Sequence, residues 1–245
     1  MTGVDKTAEK LSRRNFLVNA GKVAVAATAG AAGLSVVASQ QTEAAETPEW
    51  PWPYKKLDPE AVEKSGQELY KKYGCGQGSF EALIAAEGAP YTSIPTGMLR
   101  LGAAGIAGWG SHCGALLGSS IFIQTVHKDP AVANQIIGEL TGWYTENHGS
   151  GSPLCHVSVS EWSKKNGVRT DSQERKDRCS KLTGAVARKA AELLNAKADG
   201  WTVEGFGPRA AVVDCHSCHG VNGMGQVEKG VLQDCTICHE TPHQS

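Results

Sequence analysis

The sequence predicts an all-α fold, a helical body followed by a small and irregular C-terminal segment. Three observations predict it. Asp58-Pro59 and Asp129-Pro130 each place an N-cap residue before a proline at the first helical position. Apolar residues then recur at steps of three and four. No segment shows a convincing run of strict alternation, although 201–213 has room for a short hairpin.

Taken in order, Glu49 to Leu57 carries two prolines with Trp50, Trp52 and Tyr54, and reads as an extended lead-in able to lie across the body. The helix opened by Asp58-Pro59 is expected to run to about Lys72, with Gly74 ending it. Ser111 to Val126 is apolar nearly all round, which suits a covered central helix. After Asp129-Pro130, the residues Val132, Ile136, Ile137, Leu140, Trp143 and Tyr144 form one apolar face, and that helix is expected to stop near His148-Gly149. A last helix is expected from about Asp171 to Ala198, with Cys179, Leu182, Val186, Ala190 and Leu193 on its inner face. The domain reading is 1–44 as an export signal, 45–57 as lead-in, 58–198 as the helical domain and 199–245 as the tail.

The 24 Lys and Arg nearly balance 25 Asp and Glu, so no whole-molecule field argues for nucleic acid or an acidic membrane surface. No phosphate-binding glycine loop or aromatic-interleaved basic patch is present, which excludes the usual nucleotide and nucleic-acid readings. Glycine is frequent, at 29 residues, and aromatics are sparse. A bulky cofactor or close helix packing through Gly and Ala would each accommodate that composition.

Near the N-terminus, Ser12-Arg13-Arg14-Asn15-Phe16-Leu17 precedes a weakly apolar run from about Val18 to Ala38. This pattern is that of a twin-arginine export signal, which implies a periplasmic protein. The run contains Lys22 and is dominated by small residues, so it is poor as a membrane span. We read it as cleaved after Ala38 or, in preference, Ala44, with no stable membrane insertion afterwards; an uncleaved anchor is the alternative.

Eight Cys and eight His are many for 245 residues, and four of those Cys form two pairs near the C-terminus. The pairs are Cys215-His216-Ser217-Cys218-His219 and Cys235-Thr236-Ile237-Cys238-His239. In Cys-x-x-Cys-His, two thiols one turn apart add across the vinyl groups of haem, and the following imidazole reaches the iron from one face. The interval between the pairs also fits a zinc ribbon. Zinc, however, does not require a histidine directly after both pairs, and a histidine falls at a given position roughly one time in forty. Paired disulfides are a further alternative.

The reading is therefore two haems c, held covalently by Cys215, Cys218, Cys235 and Cys238, with His219 and His239 as proximal ligands. Each iron needs a sixth ligand or stays open. His216 is too close to its own porphyrin plane to close the same iron but can serve a neighbouring haem, and His243 in the tail can do likewise. His112, His127, His148 and His156 rank behind them. A tail this short cannot wrap two porphyrins, so haem faces are left to be covered by the body, by each other or across a dimer interface.

Cys75, Cys113, Cys155 and Cys179 are spread through the body, all but Cys155 at or within an expected helix. Cys75 and Cys113 fall at helix starts, where the dipole is expected to lower the thiol pKa. Four thiolates suit an iron-sulfur centre, read as 2Fe-2S in type, whereas two disulfides are the ordinary alternative in an exported protein. Twin-arginine export carries folded proteins already loaded with cofactor while c-type haem is attached outside, which tips the choice towards a cluster.

The stretch Tyr73 to Ser79, the stretch Gly108-Trp109-Gly110-Ser111-His112-Cys113-Gly114-Ala115-Leu116-Leu117-Gly118, and single Cys155 and Cys179 resemble the family named for its C, GCAxxG, C, C pattern. With both haem motifs included, the whole mature chain resembles the split-Soret cytochromes c of sulfate-reducing bacteria. One departure is that Cys113-Gly-Ala stands where Gly-Cys-Ala is the family pattern. The resemblance implies a homodimer whose haems stack in pairs, each haem taking a histidine from the partner, with an iron-sulfur-type centre in the helical part. The expected function is electron transfer among periplasmic redox proteins, with no catalysis. The rival is a haem-dependent reductase with one open iron, for which the sequence marks no distal pocket.

Overall fold

The computed structural model describes residues 49–202, and these are helical with no strand among them. The expected signal segment and the tail with both Cys-x-x-Cys-His motifs lie outside the described residues. Helix α1 spans Pro59–Tyr73 and begins where Asp58 accepts hydrogen bonds from the amides of Glu60 and Ala61 at 3.0 and 3.3 Å. Gly74, at φ 80°, ends it and donates its amide to the Tyr70 carbonyl. Helix α2, Cys75–Glu87, starts at once from that turn.

Two 3-10 turns follow, Tyr91–Ser93 and Thr96–Gly102. They lead into a tight connection in which Ala104, Ile106 and Ala107 all take positive φ, at 52°, 59° and 52°. Helix α3 is Gly114–Val126, and α4 is Pro130–Asn147, capped by Asp129 on the amide of Ala131 at 2.9 Å. Helix α5 is Cys155–Asn166, and α6 is Gln173–Ala198, capped by Ser172 on the amide of Arg175 at 3.2 Å.

Three local differences from the expectation have physical causes. The central helix starts at Gly114 rather than Ser111, because Cys113 takes the N-cap and His112 is paired with Leu154 in an isolated antiparallel bridge. The last helix starts at Gln173 because Ser172, not Asp171, supplies the capping oxygen. Cys155 was expected outside any helix and instead opens α5. That helix has no side-chain cap; the carbonyls of Ser111 and Gly110 accept from the amides of Cys155 and His156 at 2.6 and 2.9 Å. A cap supplied by distant backbone leaves no mark in the local sequence.

The core is built on Phe80, Tyr91, Phe122, Leu83, Leu116, Ile136 and Leu140, all fully buried. Phe80 and Phe122 meet edge to face at 6.4 Å, and Tyr91 links Phe122 to Trp52. The segment before α1 is pinned by Asn195, which accepts from the Leu57 amide at 3.0 Å and donates to the Leu57 carbonyl at 2.8 Å. Tyr54 also donates to Asn195, and Tyr91 donates to the Trp52 carbonyl.

Helices α1 and α6 approach through facing glycines. A Cβ at Gly66 would lie 3.0 Å from the Gly184 Cα, and one at Gly184 would lie 2.7 Å from Gln67 Cγ while striking the Glu63 carbonyl. Ser180 donates to the Gln67 carbonyl at 2.7 Å, and Arg188 pairs with Glu63 at 3.0 Å. Gly184→Ala is therefore expected to force these helices apart and to lower stability by about 1–3 kcal/mol, the usual cost of overpacking, read from urea unfolding of the purified protein.

Candidate metal centre

Four elements deliver the four body cysteines to one place. Cys75 is the first residue of α2, Cys113 is the N-cap of α3, Cys155 is the first residue of α5, and Cys179 lies in the second turn of α6. All four line a single cavity of about 450 Å³ and all are free thiols. The connection between the 3-10 turn and α3 forms one wall through Ala103, Ala104 and Gly110, and Tyr70, Tyr144, Arg175 and Arg178 complete it.

The local packing holds the thiols tightly. A Cβ at Gly114 would fall 2.5 Å from the Cys75 sulfur, and one at Gly105 would fall 2.7 Å from the Cys155 Cβ. Only glycine lets the chain pass so close at these points. The Cys113 amide donates to the Pro153 carbonyl at 2.9 Å, which ties the start of α3 to the segment that opens α5.

Burial sets the acidity of the site. It pushes the Cys75 thiol up to about 12, with the neighbouring Cys113 adding to the shift. Cys113 is raised by burial as well, and Cys155 is pushed up to about 11 by burial and by Cys113, against a lowering influence from Arg175 and Arg178. The expectation that helix starts would lower the Cys75 and Cys113 pKa is thus corrected. Desolvation disfavours the thiolate more than the helix dipole favours it.

Among the described residues no three Cys, His, Asp or Glu side chains come together as a holder for a single metal ion. The four sulfurs line one cavity, and soft thiolates are donors that suit iron. Of the described histidines, His156 also lines this cavity, and its ring bonds the Gly110 carbonyl at 2.9 Å. His148 meets Trp143 edge to face at 5.0 Å, and burial lowers the pKa of His112 and His127. Cys215, Cys218, Cys235, Cys238, His216, His219, His239 and His243 lie outside the described residues.

Sequence reasoning did not single out Tyr144, Ser158 or Arg178. Tyr144 is buried and lines the same cavity as Cys113. It donates to Ser158 Oγ at 3.1 Å, and Arg178 Nη2 donates to the same oxygen at 2.6 Å and to the His148 carbonyl at 2.7 Å. Tyr144 sits on the apolar face of its helix, so its pattern reads as core alone, and no local signal marks the others.

Residues 73–193, which include all four body cysteines, match the family described as "Putative redox-active protein (C_GCAxxG_C_C)". The split-Soret cytochrome c of Desulfovibrio desulfuricans is 34% identical, the match covering 77% of this chain and 77% of that protein. This chain belongs to the split-Soret cytochrome c family.

The solved structure of the Desulfovibrio desulfuricans split-Soret cytochrome c, described as holding a novel iron centre, superposes with a TM-score of 0.69 at 32% identity. That superposition covers 78% of this chain and 91% of the other. The helical architecture that collects the cysteines is therefore shared within the split-Soret family. With metal stripped by chelator under reducing conditions, Cys75 is expected to react with iodoacetamide at pH 8 at least about a hundredfold more slowly than a free thiol, since so little is thiolate. The raised thiol pKa values also fix the sign of the pH dependence. The folded, metal-free body holds these protons more tightly than the unfolded chain, so its stability is full below the ordinary thiol range near 9 and falls as pH rises towards 11 and 12, checked by urea titrations at several pH values.

Proposed function

We propose that this chain is an electron-carrying dihaem cytochrome c of the periplasm with an additional iron-sulfur centre in its helical body. The observation that carries the proposal is the gathering of Cys75, Cys113, Cys155 and Cys179 on one cavity by four separate elements. Membership of a cytochrome c family and the two Cys-x-x-Cys-His motifs support the haem part. The iron centre described for the Desulfovibrio desulfuricans relative supports the other.

In this reading Cys215 and Cys218 hold one porphyrin and Cys235 and Cys238 the other, while His219 and His239 bind the irons from the proximal side. His216 and His243 supply the distal imidazoles across a homodimer, leaving the irons closed and without a substrate position. The four body thiols hold the cluster, which supplies a one-electron site when bound. Burial keeps water from that site, and Arg175 and Arg178 offset the negative charge that four thiolates bring into it. The partners are periplasmic redox proteins, reached after export by the twin-arginine route.

Iron, acid-labile sulfide and haemochrome, counted on protein purified without oxygen, are expected to give two haems per chain with iron and sulfide in surplus. Cys155→Ser is expected to lose the surplus and keep both haems, whereas Cys218→Ser is expected to lose one haem and keep the surplus. Two haems with no surplus in the wild type would remove the cluster from the proposal and leave a dihaem cytochrome.

A further inference from the structure

Arg178 lies one residue before Cys179 in the second turn of α6, and its guanidinium joins three helices at one point. Nη2 uses both of its protons on oxygen, donating to the His148 carbonyl at 2.7 Å and to Ser158 Oγ at 2.6 Å. His148 is the C-cap of α4, and Ser158, in α5, donates to the same carbonyl at 3.1 Å. The other end of the fork meets the thiol cavity. There Nη1 donates to the Cys179 sulfur at 3.9 Å, within the longer reach of a sulfur acceptor.

A planar guanidinium with five donors can serve oxygen on one nitrogen and sulfur on the other, and it keeps its charge throughout. The two short bonds to oxygen fix its plane, so the place of Nη1 beside Cys179 is set by α4 and α5. The other arginine on this cavity, Arg175, has its Nε donating to the Thr170 carbonyl at 2.6 Å. Cys75 has a contact of the opposite polarity, its thiol donating to the Gly102 carbonyl at 3.6 Å. The four sulfurs are thus unequal. A thiol sulfur is a weak acceptor, so the Arg178 contact counts for little in the metal-free body. A thiolate ligand is charged, and a hydrogen bond between ionised partners is roughly twice as strong as a neutral one.

From this arrangement we infer that Arg178 is a positioning residue for the metal centre: held by the end of α4 and by Ser158, its guanidinium donates to the Cys179 sulfur and raises the reduction potential of the group the four thiols hold. The inference rests on the iron-sulfur reading above and adds to it. Reduction brings one electron to that group and makes its ligand sulfurs more negative. A fixed cationic donor at one of them stabilises the reduced state more than the oxidised one, and hydrogen bonds to sulfur and net charge are among the factors that set such potentials. Arg178 stays protonated in both oxidation states, and no covalent bond forms or breaks.

The test uses the full-length holoprotein, purified without oxygen, as wild type, Arg178→Gln, Arg178→Lys and Arg175→Gln. Iron and sulfide are counted first, and the potential is then read by dithionite titration followed by electron paramagnetic resonance. Arg178→Gln removes the charge and the fork. It is expected to shift the reduction equilibrium about tenfold towards the oxidised form, about 59 mV lower for a one-electron couple. Arg178→Lys keeps the charge without the fork and is expected to shift it about threefold. Arg175→Gln removes a charge from the same cavity without touching a bond to sulfur, and a shift of about twofold at most is expected.

Potentials that fall in the order Arg178→Gln most, Arg178→Lys next and Arg175→Gln least support the inference, and any other order overturns it. A purely structural anchor would lower both Arg178 variants equally, and a general charge effect would make the two glutamine variants equal. If Arg178→Gln holds no iron, Arg178→Lys decides: a fall beyond that of Arg175→Gln supports the inference, and no such fall overturns it. If neither Arg178 variant holds iron, the residue builds the site rather than tuning it, and the inference is overturned. A wild type without surplus iron would sink the cluster reading and this inference together, whereas a filled site with unmoved potentials sinks only the role of Arg178.

Discussion

Backbone runs directly against backbone where α2 meets the second 3-10 turn and α3, and the position of the thiols depends on that approach. A Cβ at Gly76 would stand 2.7 Å from the Leu99 carbonyl oxygen and 2.9 Å from the Gly102 Cα, and one at Gly118 would strike the Gly76 carbonyl. The buried Ser79 hydroxyl sits in the seam, within hydrogen-bonding distance of the carbonyls of Gly76 at 3.2 Å and Ala115 at 3.1 Å. Because the seam is this narrow, the N-terminal ends of α2 and α3 bring Cys75 and Cys113 onto one cavity. Larger side chains would keep the helices near the usual interaxial distance of about 8–10 Å and separate the two sulfurs.

The other half of the site hangs on the connection that leads into α3. Ala104, Ile106 and Ala107 lie in the left-handed region, a conformation that a non-glycine residue occupies at a cost of order 1–3 kcal/mol each. That turn aims the carbonyls of Gly110 and Ser111 at the first amides of α5. Two amides at the start of α5, which no side chain caps, are satisfied, and this offsets part of the strain. The same contact places Cys155 beside Gly105. Strain in the connection and location of the third thiol are therefore one structural fact, and the long α6 brings the fourth by packing on α1 through Gly184.

Those distinctions separate what the sequence displays from what it hides. The Asp-Pro starts and the apolar faces report on hydrogen bonds and burial within a single helix, and so α1, α4 and α6 could be read to within a few residues. Cys155 could not, because its helix is capped from residues forty-odd positions away, and the local run Cys155-His156-Val157-Ser158-Val159 has no helical periodicity of its own. The four cysteines were visible as candidates, yet their meeting on one cavity is a property of tertiary packing. Tyr144 was legible only as core. A tyrosine on an apolar helix face gives no sign of where its hydroxyl ends, and here it donates to Ser158 on the cavity wall.

The raised thiol pKa values connect this geometry to the proposed export route. In the absence of metal, burial keeps Cys75, Cys113 and Cys155 protonated, and the cavity carries little negative charge. Loading a thiolate-bound centre must release those protons, and the entering positive iron replaces them as the partner of sulfur. The same four thiols, free and crowded into one space, are vulnerable to oxidative pairing in a compartment that favours disulfides. A reducing compartment is the better place to fill them, and a route that moves folded protein then preserves the filled site. In the proposed reading haem attachment at the tail has the opposite requirement and would follow export. On the same reading a twin-arginine signal would answer to the helical body rather than to the Cys-x-x-Cys-His motifs.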